Sequence, residues 1–187
     1  MAATLQGKKV LIITSNTGIE RDELLKPLQA LKEAGAEVTH ASIEGGTTQT
    51  FLQDTEKDRT VESDAKLADL DASAFHALVI PGGTVNADTL RQDTDAQRLV
   101  QAFASTGKTI AAICHGPWVL IDAGVVEGKT LTSYSSVRTD LLNAKAAGWE
   151  DSELFKCGAN GWTLLSSRTP KDLPAFNHAI IQALEAA

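Results

Sequence analysis

The sequence predicts a three-layer α/β fold, a mostly parallel sheet with helices on both faces. Three observations carry that expectation. Short apolar runs alternate with segments of helical periodicity along almost the whole chain. Those runs are continuous rather than alternating, as strands covered on both faces are. At 187 residues, with 43% hydrophobic and 22% charged side chains, the chain is long enough for one well-buried core and short for two. No repeat or linker is visible, so residues 1–187 are read as a single domain.

Residues 10–14, Val-Leu-Ile-Ile-Thr, form a β-branched run that stops at polar Ser15-Asn16-Thr17-Gly18, and predict a buried strand and a loop. Leu24, Leu28 and Leu31 recur at helical spacing up to a stop at Gly35, with Pro27 expected either in or near the first turn or as the site of a kink. Residues 37–42 alternate as a second strand. Residues 44–73 are polar and rich in Thr and Asp, and predict loop with a short edge strand or two near 49–52. Residues 75–80 predict a central strand that ends at Pro81-Gly82-Gly83. A helix over 94–105 places Leu99, Val100 and Phe103 on one face. Residues 109–114 predict the next strand, His115-Gly116-Pro117 its exit, and 118–124 a helix. A strand over 130–134, a helix over 137–147, a hairpin joining 153–157 to 162–166 around Ala159-Asn160-Gly161, and a closing amphipathic helix over 171–185 complete the chain.

Composition narrows the function classes. The net charge of −7 is a poor match to a phosphate-backbone binder. Two cysteines, Cys114 and Cys157, are too few for a disulfide scaffold, and no C-x-x-C spacing or clustered histidines suggest a metal site. Residues 1–9 lack the pattern of a signal peptide, and no apolar run approaches the roughly 20 residues of a membrane span. The expected setting is therefore a reducing cytoplasm, with no membrane partner and no cofactor.

The strongest chemical signal is Ala112-Ile113-Cys114-His115-Gly116-Pro117-Trp118. A nucleophile between a buried strand and a helix, with small residues two before and two after it, has the form of a nucleophile elbow. Pro117 suits a first helical position. The helix N-terminus is expected to lower the thiol pKa, and His115 to act as base or ion-pair partner. The bland alternatives are a buried apolar cysteine and a structural histidine. Gly82 and Gly83 offer uncrowded backbone N–H groups for an oxyanion, or simply a tight turn. Glu20, in the loop after the first strand, is either a proton carrier for Cys114 or a helix-start carboxylate like Asp22 and Glu23. Asp88 reads as a solvated or capping acid.

These segments resemble the DJ-1/PfpI superfamily, and its PfpI-like branch in particular. The resemblance rests on residues 112–118 with Leu78-Val79-Ile80-Pro81-Gly82-Gly83 upstream, on Gly124-Val125-Val126-Glu127-Gly128-Lys129, and on residues 166–176. It implies a flavodoxin-like sandwich, related to that of class I glutamine amidotransferases, with Cys114 as nucleophile and His115 as the histidine that follows it. It also implies that Glu20 hydrogen-bonds the cysteine, and that Asp88 reaches across a subunit interface toward the histidine of a homodimer or larger homo-oligomer. Members are described as glyoxalases, deglycases of modified protein or nucleic acid, intracellular peptidases and redox-responsive stress proteins. The expected substrate is thus a small carbonyl or a peptide, with nucleic acid entering only as a modified substrate. A thiolate enzyme acting on dicarbonyls or their adducts is the favoured reading. A cysteine peptidase or amide hydrolase, and a non-enzymatic redox-responsive or chaperone-like protein, are the alternatives.

Overall fold

The computed structural model describes residues 4–187. In chain order the elements are β1 (Lys9–Thr14), β2 (Ile19–Glu20), α1 (Arg21–Glu33), β3 (Glu37–Ser42), β4 (Gly46–Leu52), β5 (Glu56–Ser63), β6 (Ala65–Lys66) and β7 (Ala77–Ile80). Then follow α2 (Thr84–Arg91), α3 (Thr94–Ser105), β8 (Thr109–Ile113), α4 (Pro117–Asp122), β9 (Thr130–Leu131), α5 (Arg138–Asn143), β10 (Gly148–Trp149), β11 (Phe155–Cys157), β12 (Leu164–Ser167) and α6 (Leu173–Glu185).

Seven strands form the central sheet in the order β11-β12-β8-β7-β1-β3-β6. All neighbours run parallel except β11, which pairs antiparallel with β12. Successive strand residues face opposite sides, and this splits the core in two. Leu11, Ile13, Leu78, Ile80, Ile110 and Ala112 pack with Leu90 of α2, Leu99 and Phe103 of α3, Leu120 of α4 and Leu141 of α5. Val10, Ile12, Ala77, Val79, Ala111 and Ile113 pack on the other face with Leu24 and Leu31 of α1 and Phe176 and Ile180 of α6. The expected three layers are therefore present.

From β1 the chain moves outward to β3 and β6, then returns to β7 and moves outward the other way through β8 and β12. The reversal lies between β1 and β7. Ligands in such sheets bind beyond the strand carboxyl ends at this point, where neighbouring loops part.

Three segments differ from the sequence expectation. Residues 46–63 form a full antiparallel hairpin, β4 with β5, which β2 extends into a separate three-stranded sheet. The hairpin is held by polar side chains rather than apolar ones. Buried Thr48 donates its hydroxyl to the Val61 carbonyl at 2.7 Å, and buried Thr50 donates to the Arg59 carbonyl at 2.7 Å. Residues 84–91 are helical although Val85 and Asn86 are weak helix formers, because Ala87 and Leu90 are anchored in the core. The strand over 130–134 shrinks to β9, paired with β10 outside the central sheet, and the helix over 137–147 shrinks to α5, past whose end Lys145 turns left-handed at φ 66°.

Candidate active site

Cys114 is the first residue beyond β8 and has φ 61°, a left-handed conformation costly for a side chain other than glycine. Backbone bonds hold it there. Its N–H donates to the Ser167 carbonyl at 3.0 Å, and its own carbonyl accepts the Tyr134 N–H at 2.9 Å. The turn tolerates nothing larger than glycine at 116, where an added Cβ would stand 2.6 Å from the Ile80 carbonyl oxygen and 2.9 Å from that of Ile113. The small residue expected two positions after the nucleophile is thus a steric necessity of the elbow.

His115 turns back onto its neighbour. Its Nδ1 lies 3.2 Å from the Cys114 sulfur. The ring is stacked on Tyr134, with centroids 4.7 Å apart, and touches Trp118 at 5.0 Å. Adjacent side chains usually diverge; here the left-handed turn at Cys114 brings the pair together.

The carboxyl beside the sulfur belongs to Glu23, and the expectation for Glu20 is corrected. Glu23 is fully buried in the first turn of α1, and its Oε2 accepts the Gly82 N–H at 2.7 Å. Among the described residues its other oxygen, Oε1, is buried without a hydrogen-bond partner, while the carboxyl and the sulfur each influence the other's ionisation. The sequence held a signal for this. Glu23, Leu24, Pro27 and Leu31 form the buried face of α1, so an acid stands in an apolar stripe. Glu20 lies one turn earlier at the helix start, where its Oε2 accepts the Asp54 N–H at 3.4 Å.

Close approach explains Gly82. A Cβ there would stand 2.5 Å from Glu23 Oε2 and 2.7 Å from the Cys114 Cβ. The oxyanion expectation for the Pro81-Gly82-Gly83 turn is corrected in part, because the Gly82 N–H is occupied by Glu23. The N–H groups of Gly83 and His115 instead favour the ionised form of the Cys114 sulfur. Asn86, which sequence reasoning missed, braces this turn. Fully buried, it donates from Nδ2 to the carbonyls of Pro81 and Gly82 at 3.2 and 2.9 Å and accepts the Ser15 N–H at 2.8 Å.

The ionisation expected of Cys114 is also reversed. It is only 6% exposed, and burial pushes its thiol well above the usual range; a charged Glu23 would push it further, against the pull of the two N–H groups. The six-residue α4 does not outweigh this. Burial raises Glu23 well above the usual carboxylate range as well, with the Glu20 and Asp54 charges adding to it, and lowers His115, against the pull of Asp54. At neutral pH the site therefore rests as a thiol facing a neutral imidazole, beside a carboxyl whose burial favours its protonated form.

Asp88 is exposed on α2, and within this chain its side chain makes no bond to the site among the described residues. The acid that does approach His115 is Asp54, at the tip of the β4–β5 hairpin, through Thr84. Cys114, Glu23, Glu20, Asp54 and Tyr134 line a cleft of about 620 Å³, with Lys171 on its rim. Among the described residues no group of three or more His, Cys, Asp or Glu side chains is placed to hold a metal ion, and no helix is long and apolar enough to cross a membrane.

The sequence and the fold as a whole have close counterparts. Residues 8–183 match the model of the DJ-1/PfpI family. General stress protein 18 of Bacillus subtilis is 39% identical over 96% of this chain and 99% of its own length. Deglycase PH1704 of Pyrococcus horikoshii is 37% identical over 95% of this chain and 99% of its own. The crystal structure of Drosophila melanogaster DJ-1beta superposes with a TM-score of 0.83 at 30% identity, covering all of this chain and 92% of the other. The chain belongs to the DJ-1/PfpI family.

Proposed function

We propose that the protein is a cysteine-dependent enzyme that needs no cofactor and acts on reactive dicarbonyls or their adducts. One observation carries the reading: the Cys114 sulfur sits between a base, His115 Nδ1 at 3.2 Å, and the buried carboxyl of Glu23, in a cleft of small-molecule size. The deglycase name of the Pyrococcus horikoshii relative and the stress-protein name of the Bacillus subtilis one support it.

Methylglyoxal illustrates the chemistry. The thiol proton passes to His115 Nδ1 as the sulfur adds to the aldehyde carbon, and the carbonyl oxygen takes a proton to give a hemithioacetal. The Gly83 and His115 N–H groups, which favour the ionised sulfur, offer dipoles for the charge that develops on it. The hydrogen on the former aldehyde carbon leaves as a proton to a carboxylate, and one returns to the neighbouring carbon through an enediol. Glu23 Oε1, the oxygen with no other partner among the described residues, is the group in position for that exchange once it has given up its own proton. The resulting thioester is hydrolysed by water, which frees the thiol and lactate. The net reaction is methylglyoxal plus water to lactate, with no external oxidant or reductant.

The test is methylglyoxal consumption with lactate detection, for the intact chain and for Cys114→Ala. Turnover is expected in the first and only the uncatalysed background in the second. Equal rates in the two would overturn the proposal.

A further inference from the structure

We infer that Asp54, acting through Thr84, is a positioning residue that holds His115 with its Nδ1 lone pair toward the Cys114 sulfur. Asp54 accepts twice from Thr84: the backbone N–H at 2.8 Å to Oδ1 and the hydroxyl at 2.8 Å to Oδ2. A threonine hydroxyl has one hydrogen. With that hydrogen committed to Asp54, Thr84 Oγ1 can only accept on its other side, where His115 Nε2 lies 3.5 Å away. Nε2 must then carry the ring hydrogen, and Nδ1 is left bare at 3.2 Å from the sulfur. The hydrogens run one way, from Cys114 to His115 to Thr84 to Asp54, and the chain ends on a carboxylate that stabilises the imidazolium formed when the thiol proton transfers.

The other groups around the ring do not impose this direction. Ser136 Oγ is 3.4 Å from Nε2, but its hydroxyl can donate or accept. Tyr134 and Trp118 meet the imidazole through their rings, and Glu23 faces the sulfur. The hairpin tip that carries Asp54 is itself fixed. Gln53 and Asp54 hold left-handed backbones at φ 50° and 63°, and Glu20 Oε2 receives the Asp54 N–H at 3.4 Å. This gives Glu20 a role: it secures the loop that aims the histidine.

The inference rests on Cys114 as nucleophile and His115 as its base, so the experiment includes readouts that need no substrate. Asp54→Asn, Thr84→Val and Thr84→Ser are compared with the intact chain after thermal melts confirm folding. Ring-nitrogen NMR reads the His115 tautomer, and mass spectrometry of the Cys114 peptide follows alkylation by iodoacetamide against pH. The intact chain and Thr84→Ser are expected to show the Nε2–H tautomer. Asp54→Asn and Thr84→Val are expected to show mixed tautomers, alkylation at neutral pH slowed about tenfold, and kcat on methylglyoxal lowered about tenfold with KM within twofold, in the range typical of outer-shell partners. An unchanged tautomer and an alkylation profile within twofold in both variants would overturn the inference. Loss of the tautomer and of alkylation in a protein that never turns over methylglyoxal would sustain the relay and sink the substrate assignment alone.

Discussion

In the central sheet β7 buries all four of its residues, and β8 four of its five; in the hairpin sheet β5, eight residues long, buries none. Both sheets reach the same cleft. The core supplies Cys114 and His115 from the end of β8, the glycine turn from the end of β7, and Glu23 from the buried face of α1. The exposed hairpin supplies Asp54, and β2 at its edge ends on Glu20. The groups that form and break bonds thus stand on packed elements, where displacement costs most. Those that tune them stand on an edge held by polar bonds.

The largest expected consequence is a split between two glutamates three residues apart. Glu23→Gln keeps an acceptor for the Gly82 N–H but removes the exchangeable proton, and should lower kcat by about 10²–10⁴, the usual range for a general acid–base group. Glu20→Gln keeps an acceptor for the Asp54 N–H and should lower kcat only about tenfold, the low end for outer-shell positions. Steady-state kinetics on methylglyoxal decide this. Equal losses in the two variants would break the division between core chemistry and edge tuning.

Stability should divide along the same line. Leu78→Ala in β7 removes a fully buried side chain from the larger core and is expected to cost about 2–5 kcal/mol in urea unfolding, from lost burial and the cavity left behind. Arg59→Ala on β5 removes an exposed side chain paired with its neighbour Asp58, and should stay within about 0.5 kcal/mol. A hairpin substitution that cost as much as the core truncation would show the two sheets folding as one tightly coupled unit.

The same contrast governs what could be read from the residues. The central strands were legible because burial on both faces leaves continuous apolar runs such as 77–80 and 110–113, and the elbow because it needs small residues around Cys114. The hairpin was not, since Thr47-Thr48-Gln49-Thr50 has β-branched shape without apolar patterning, and only the structure shows its hydroxyls satisfied within it. Within the site, Cys114 and His115 are adjacent in sequence and were found together. Asp54 and Thr84 lie 30 residues apart and are joined by hydrogen bonds that leave no periodic trace. Glu23 was readable in principle, as an acid at helical spacing from Pro27 and Leu31. The role expected of Glu20 rested on its loop position and, above all, on the family resemblance.

The two sheets also meet at a titratable residue, which gives a smaller and pH-dependent test. His40 of β3 is almost fully buried. Its Nε2 lies 2.8 Å from Thr14 Oγ1 of β1, and its backbone exchanges hydrogen bonds with Asp64, just past the end of the hairpin. Burial lowers the imidazole from about 6.5 to about 4, against the opposing pull of Asp64. Between those values the unfolded chain binds a proton that the folded one refuses. The stability associated with neutral His40 is therefore fully present above pH 6.5 and is lost as pH falls through 4. At 1.36 kcal/mol per pKa unit, the loss approaches about 3 kcal/mol. Urea unfolding from pH 7 to pH 4 should show that decline in the intact chain. His40→Gln, which keeps a polar partner for Thr14 without the charge, should show a shallower decline, whatever its stability at pH 7. Amide exchange adds the location: at pH 4.5 protection should fall first across the β1–β3 and β3–β6 pairings, where charging His40 strains the joint, while β7 and β8 stay protected. Parallel pH profiles in the two proteins would place the acid sensitivity elsewhere and remove His40 as the weak point between the sheets.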